Sequence, residues 1–386
     1  MHFFFSAGEP SGDQHAAFLM RAIQVRCPGA RFSGFGGQHL KEAGAEILFP
    51  LTDLAVIGFT AVLPLLKKFY DVAHQGRTFL NEQKPDAVIL VDFPGFNWHI
   101  AKYARQAGIP VYYYCPPQLW AWASWRIRKI RKYVDCVLSV LPFEAEWYRQ
   151  RNVPVEYVGH PFFDEAAARQ LDTAYGEELR RSGSPVVGLL PGSRGNEVTR
   201  NFPLMVEVVR RLHPKYPTVR FPVACYKPVQ RDFCATHLQK VGAGLPIDLY
   251  LDRTPEIIAA SDFCLMVSGS VSLELLARGK PALVMYCVSW LNYLIGKMLV
   301  HIRWMSLPNL IVNREMMPEF LCVGKHPQLQ IDRMTEQAEQ WLSNPQQLAK
   351  ATEEMQALRQ EVVEVGGVAT AAQTILRLVA QASHRP

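Results

Sequence analysis

The chain has little that would build a disulfide framework, a metal centre or a membrane span. Its eight cysteines, Cys27, Cys115, Cys136, Cys225, Cys234, Cys264, Cys287 and Cys322, form no Cys-x-x-Cys pair. Most sit in apolar runs where a thiol packs as a small hydrophobe, so reduced core residues are expected. Eleven histidines give no His-x-x-x-His pair, and no Asp-x-Asp is present to hold a divalent ion against a nucleotide. No metal site and no cofactor are expected. The apolar run 281–296 contains Ser289 and Asn292 and is closed by Lys297, short of the roughly 18 to 20 residues a spanning helix needs. The N-terminus reaches Phe3-Phe4-Phe5 without the basic start and small-residue cleavage site of a signal peptide, which points to the cytoplasm. Glycine and proline are too sparse for disorder. A net charge of +6 over 386 residues is modest; it suits an anionic ligand or a membrane surface without requiring either.

What is present is an alternation of short apolar runs and amphipathic stretches, the pattern of an α/β chain long enough for two domains. The spacing predicts a first domain over 1–161, a polar linker over 162–184, a second domain over 185–345 and C-terminal helices over 346–386, the two domains facing each other across a cleft. The first strand, Phe3 to Gly8, leads into Glu9-Pro10-Ser11-Gly12-Asp13 and a helix. Glu9, Ser11 and Asp13 would stand in a crevice beyond the strand's carboxyl end, where open α/β sheets bind ligands; Ser11 or Asp13 would equally serve as a helix cap. A second such strand ends on Asp92, followed by Phe93-Pro94-Gly95-Phe96-Asn97. Asn97 would cap the next helix more directly than Asp92, which favours Asp92 as a general base.

Two stretches carry surface chemistry. Residues 61–75 place Val62, Leu65, Leu66, Phe69 and Val72 on one face beside Lys67 and Lys68, a face for a lipid surface or for packing on the sheet. Trp120, Trp122 and Trp125 precede Arg126, Arg128, Lys129, Arg131 and Lys132. That combination suits an anionic lipid surface or phosphorylated substrate, or an ordinary amphipathic helix; without a second basic stripe, no nucleic-acid partner is expected.

In the second half, 186–190 is a strand that breaks into Pro191-Gly192-Ser193-Arg194-Gly195-Asn196-Glu197 and then a helix. Gly192 and Gly195 let the backbone approach a ligand, the helix start offers unpaired N–H groups and Arg194 supplies a planar cation, a design for phosphate or simply the glycine turn that any parallel α/β sheet needs between strand and helix. It is neither a Walker loop nor the Gly-x-Gly-x-x-Gly fingerprint. Ser268-Gly269-Ser270 opens another helix, and Glu274 lies one turn in, within reach of a ribose diol. Paired with 191–197, it gives a site for a nucleoside diphosphate.

Taken together, these motifs resemble the lipid-A-disaccharide synthase family. The resemblance rests on Ala7-Gly8-Glu9-Pro10-Ser11-Gly12-Asp13, Val91 to Asn97, Leu119-Trp120-Ala121-Trp122, Val158-Gly159-His160-Pro161, Leu190 to Glu197, Ser268-Gly269-Ser270 with Leu273-Glu274, and Ser306-Leu307-Pro308-Asn309-Leu310. It implies a glycosyltransferase B fold of two Rossmann-like domains and an inverting transfer. The donor would be UDP-2,3-diacylglucosamine, the acceptor 2,3-diacylglucosamine 1-phosphate, and the products a β-1,6-linked disaccharide and UDP. It further implies Asp92, with Glu9, as the catalytic pair. Gly8, Ser11, Gly12, Asp13, Asn97, Gly192, Ser193, Arg194, Glu197, Ser268, Gly269, Ser270, Glu274, Asn309 and Arg314 would be substrate-binding residues. Attachment to the inner face of the cytoplasmic membrane is implied, and a homodimer through C-terminal elements is left open. The alternatives are another UDP-sugar enzyme, such as a 2-epimerase, and a non-catalytic UDP-sugar or lipid binder. The chain departs from the familiar pattern at Gly95, where members often carry a second Asp, and at Cys115-Pro116-Pro117-Gln118.

Overall fold

The structure is a computed structural model describing residues 1–55, 62–181, 184–242, 244–299, 303–324 and 327–383, without the side chains of 55, 62–66, 292, 295, 298, 299 and 383. It divides into two units: Met1–Glu165 with Glu364–Pro386, and Ala166–Val363. The stretch 162–184, read as a linker, carries the helices Pro161–Ala168 and Thr173–Arg181. Of the helices grouped at the C-terminus, Pro345–Val362 falls in the second unit and Gly367–Ser383 in the first.

The first unit holds seven parallel strands, β1 (His2–Ala7), β2 (Arg31–Gly36), β3 (Glu46–Pro50), β4 (Ala87–Val91), β5 (Val111–Tyr114), β6 (Cys136–Ser139) and β7 (Val155–Tyr157), in the order β3-β2-β1-β4-β5-β6-β7. Helices cover both faces, so the central strands read as unbroken apolar runs. All five residues of β4, and Phe3, Phe4 and Phe5 of β1, are fully buried. Pro10 starts the helix Pro10–Arg26, where its fixed φ fits the first turn and its missing N–H is not needed. That helix buries Ala16, Leu19, Met20 and Ile23 on one face. The helix Gly367–Ser383 packs along it. Asp164 caps the returning helix, accepting from Gly366 N and, at 2.7 Å, from Val368 N. A Cβ at Gly367 would meet the Gly159 carbonyl carbon at 2.9 Å and the Val158 oxygen at 3.0 Å, so a glycine is required at this seat. The Val158-Gly159-His160-Pro161 motif therefore has a packing role.

By length and composition the stretch Pro345–Ala382 could cross a membrane, but it is two helices interrupted at 363–366 that bury Met355, Leu358, Ala371, Ala372 and Ile375.

The second unit repeats the design with β8 (Val187–Leu190), β9 (Phe221–Cys225), β10 (Ile247–Leu251), β11 (Phe263–Val267), β12 (Ala282–Val288) and β13 (Glu319–Val323), parallel and ordered β10-β9-β8-β11-β12-β13. The helix Gly195–Leu212 follows β8 and turns Val198, Phe202, Met205, Val206, Val209 and Leu212 inward. This i, i+4, i+7 stripe explains its stability despite the internal Pro203.

Candidate active site

In the first sheet β1 and β4 are neighbours, yet β2 and β3 intervene in sequence. The crossovers leave on opposite sides, and the loops beyond the carboxyl ends of β1 and β4 open a crevice. The loop after β1 carries Gly8 and Glu9; the loop after β4 carries Asp92 and Phe93.

Asp92 and Phe93 both adopt left-handed backbone, with φ of 45° and 46°, a conformation that costs about 1–3 kcal/mol per residue unless the surroundings impose it. Three hydrogen bonds do so. Asp92 N donates to Cys115 O at 3.3 Å, and Asp92 O accepts from Asn97 Nδ2 at 2.7 Å and from the Tyr113 hydroxyl at 2.8 Å. Asn97 is fully buried. Its Nδ2 also donates to Ser6 O at 3.1 Å and Val91 O at 3.3 Å, while its Oδ1 accepts from Ser6 Oγ at 2.6 Å. It thereby ties the ends of β1 and β4 together. Gly8 lets the loops meet, since a Cβ there would lie 2.1 Å from Phe93 Cδ1. Burial, then the charge of Glu9, raise the Asp92 pKa from 3.8 to about 6 against the opposing Phe93 N–H. Asp92 is thus ionised at neutral pH and a stronger base than an ordinary carboxylate, as proton abstraction requires.

In the second sheet the corresponding neighbours are β8 and β11, followed by 191–194 and 268–270. Gly192 has φ 120°, and a Cβ on it would meet Glu197 Cβ at 2.6 Å. Glu197 Oε2 accepts from Ser193 N at 3.1 Å and Arg194 N at 3.2 Å, and its Oε1 accepts from Arg194 Nη1 at 3.1 Å. Gln230 braces the same loop, donating to Ser193 O at 2.7 Å and accepting from Tyr226 N and Lys227 N, each at 3.1 Å. The Arg194 side chain is 79% exposed, so its guanidinium remains open to an anion. Ser268 Oγ donates to Met305 O at 2.7 Å, while Gly269 and Ser270 are exposed at the start of the helix Val271–Ala277.

A sequence model of the lipid-A-disaccharide synthetase family matches residues 3–374. The chain belongs to this family. It is 35% identical over 378 residues to the lipid-A-disaccharide synthase of Myxococcus xanthus, covering 97% of this chain and 96% of that protein. To lipid-A-disaccharide synthase 1 of Legionella pneumophila it is 36% identical, covering 82% of each. Among solved structures it is similar to a Neisseria meningitidis UDP-GlcNAc 2-epimerase bound to UDP-GlcNAc (TM-score 0.63, 14% identity, covering 99% of this chain and 100% of that one). It is also similar to an S. aureus MnaA–UDP co-structure (TM-score 0.65, 14% identity, covering 100% and 98%). These likenesses establish the fold, two Rossmann-like units of the glycosyltransferase B type, and the family makes the chain a glycosyltransferase.

Within that family fold, the residues singled out from sequence divide by what their side chains already hold. Glu9, Asp92 and Arg194 keep groups available, as do the exposed Ser11, Ser193 and Ser270. Gly12 is buried, and a Cβ there would rest 3.7 Å from Asp92 Cβ. Asp13 neither faces an open crevice nor caps its own helix. Its carboxylate accepts from Gly37 N at 2.7 Å and His39 N at 2.8 Å, fixing the loop after β2. Asn309 is fully buried; its Nδ2 donates to Met317 O at 2.7 Å and Glu319 Oε1 at 2.8 Å, and its Oδ1 accepts from Met316 N and Met317 N at 2.7 and 2.9 Å. Asp13, Asn97 and Asn309 therefore position loops. Glu274 Oε1 accepts from Arg278 Nε at 2.6 Å, and Arg314 pairs with Glu354 at 2.9 Å on the surface.

Sequence reasoning passed over two carboxylates. Glu319 of β13 accepts from Met305 N, Ser306 N and Ser306 Oγ, each at 2.8 Å, as well as from Asn309. Glu144, buried, accepts from Ser139 Oγ at 2.7 Å and from Trp120 Nε1 at 3.1 Å, anchoring the tryptophan segment. Burial raises its pKa from 4.5 to about 7. The one available signal was a lone acid beginning a strand or an otherwise apolar helix face. Of the 61–75 face, residue 61 and the side chains of Val62, Leu65 and Leu66 lie outside the described residues; Val72 is buried and Tyr70 exposed.

Proposed function

We propose that the chain joins UDP-2,3-diacylglucosamine to 2,3-diacylglucosamine 1-phosphate by inverting transfer. The observation that carries the reading is Asp92, a carboxylate fixed in strained backbone at a sheet's switch point, with its pKa raised to about 6. The acceptor's 6-hydroxyl oxygen attacks the anomeric carbon of the donor as Asp92 takes its proton. The bond from that carbon to the diphosphate breaks, and UDP leaves with the electron pair. Glu9 holds the Asp92 pKa up and is thereby a positioning charge. Arg194 and the 268–270 turn balance the charge that grows on the departing diphosphate, and Glu274, its charge shared with Arg278, faces the ribose. Asn97 holds the base, while Asn309 and Glu319 hold the loop that positions the donor.

Acyl-chain substrates call for a lipid surface, which in this reading is the inner face of the cytoplasmic membrane. Trp122 and Trp125 are 41% and 57% exposed, and the helix Ile127–Tyr133 that follows carries Arg128, Lys129, Arg131 and Lys132, a pairing suited to anionic headgroups. The test is UDP release from the donor with and without acceptor, in detergent micelles. Acceptor-dependent release that forms a disaccharide and is lost in Asp92→Asn supports the reading. Turnover of UDP-N-acetylglucosamine with no acyl acceptor would replace it with the epimerase.

A further inference from the structure

Among the described residues of the second unit, one helix exposes a cluster of large apolar side chains. In the helix Trp290–Leu299, Trp290, Leu291 and Leu294 are 60%, 66% and 42% exposed, and Tyr286, at the end of β12 just before it, is 40% exposed. Lys297 is exposed as well. Positions 290, 291, 294 and 297 follow i, i+1, i+4, i+7, so they form one stripe that runs from tryptophan through leucine to lysine. By contrast, helix Gly195–Leu212 of the same unit turns its whole apolar stripe into the core.

The charge carried by this segment of the chain is of one sign. From residue 275 to residue 314 there is no Asp or Glu, while Arg278, Lys280, Lys297, Arg303 and Arg314 are present. Arg278 and Arg314 are paired with Glu274 and Glu354, and Lys280 donates to Ser261 O at 2.7 Å. Lys297 and Arg303 are left exposed at the surface, the Arg303 guanidinium lying 4.8 Å from the Trp304 ring centroid. An exposed Trp-Leu-Leu stripe with cations and no anions along forty residues of chain is complementary to an anionic lipid surface, which takes indole and leucine at the headgroup boundary and attracts the cations.

We infer that helix Trp290–Leu299 is a second membrane-docking element, carried by the UDP-binding unit and inserted into the headgroup region of an anionic bilayer. The inference rests on the membrane reading given above, and assigns to the second unit a lipid contact separate from the Trp122 and Trp125 segment of the first. The donor is itself a lipid, so a UDP-binding unit with its own hold on the bilayer draws its substrate from a two-dimensional pool.

The experiment is co-sedimentation of the full chain with vesicles of phosphatidylethanolamine and phosphatidylglycerol, beside vesicles of phosphatidylcholine alone. The double variant Leu291→Glu, Leu294→Glu alters only exposed positions; unchanged melting and UDP binding establish that it is folded. Its partitioning onto anionic vesicles should fall at least about tenfold, with transfer in detergent micelles unchanged. Lys297→Glu should lower partitioning and flatten its salt dependence. A folded double variant that partitions like the parent overturns the docking helix. A parent chain that binds neither vesicle overturns the membrane reading itself. A variant with unchanged partitioning but a raised KM for a short-chain, micelle-free donor would make the stripe an acyl-chain subsite instead.

Discussion

Asp92→Asn should abolish transfer and make the protein more stable. Burial and the Glu9 charge raise the Asp92 pKa from 3.8 to about 6, which means that the fold works against the ionised carboxylate. A group shifted in this direction favours the folded state while it is protonated, and that advantage is lost as pH rises through the folded pKa. Integrated between the two values, the cost of keeping Asp92 ionised is about 3 kcal/mol at pH 8 and about 1 kcal/mol at pH 4.5. Asparagine carries no charge at either pH and is among the residues that tolerate the left-handed backbone found at Asp92, so it removes the electrostatic term without adding strain. Calorimetry of the two proteins should show the variant melting higher at pH 8, by about 2–4 °C per kcal/mol for a unit of this size, with most of the gain gone at pH 4.5. UDP binding, which the proposed function assigns to the second unit, should be unchanged. A variant that is inactive yet no more stable at pH 8 would refute the claim that Asp92 sits in an environment hostile to its charge.

Transfer by the parent chain should fall as pH drops through about 6, where Asp92 takes up a proton. Glu9→Gln should carry that acid limb to lower pH, and a limb that stays in place would remove Glu9 from the pair. Gly8→Ala puts a methyl group 2.1 Å from Phe93 Cδ1; it should displace the Asp92 loop, costing about 1–3 kcal/mol of stability and most of kcat, as melting and turnover would record. Gly95→Asp, at a position where a Cβ meets nothing within 4 Å, should fold normally and retain transfer. Arg194→Ala should weaken UDP binding about tenfold, the loss of one charge-assisted contact, measured by titration calorimetry; unchanged affinity would take Arg194 out of the phosphate site. Glu144→Gln should flatten the loss of stability expected of the parent as pH rises from about 4.5 to about 7, because burial raises the Glu144 pKa from 4.5 to about 7 and its ionisation opposes folding.

The sheets were legible because a central parallel strand is buried on both faces and must read as an unbroken apolar run, as Ala87 to Val91 and Phe263 to Val267 do. The glycine loops were legible too, because Gly8 and Gly192 stand where any side chain would collide. What a polar side chain does there was harder to read. Asp13, Asn97 and Asn309 look like ligand-binding groups in a string of letters, yet each is consumed by backbone partners 5 to 91 residues away. Periodicity reports which face a residue takes, and does not report which distant N–H or C=O waits opposite it. Glu144 and Glu319 were missed for the same reason. The return of the last helix to the first unit depends on a close approach between Gly159 and Gly367, two glycines that are unremarkable until the backbone is folded.

That return has a consequence for how the protein is made. Residues 166–363 form an insertion within a unit whose own residues lie at both ends of the chain. During synthesis the second unit can fold as soon as Val363 has cleared the ribosome, whereas the first, although begun at residue 1, waits for its last helix. Until Gly366 and Val368 reach Asp164, the face of helix Pro10–Arg26 that the last helix covers stands uncovered. A nascent chain arrested after Val363 would therefore hold a finished second unit and an unfinished first one, the reverse of the order in which their residues are translated.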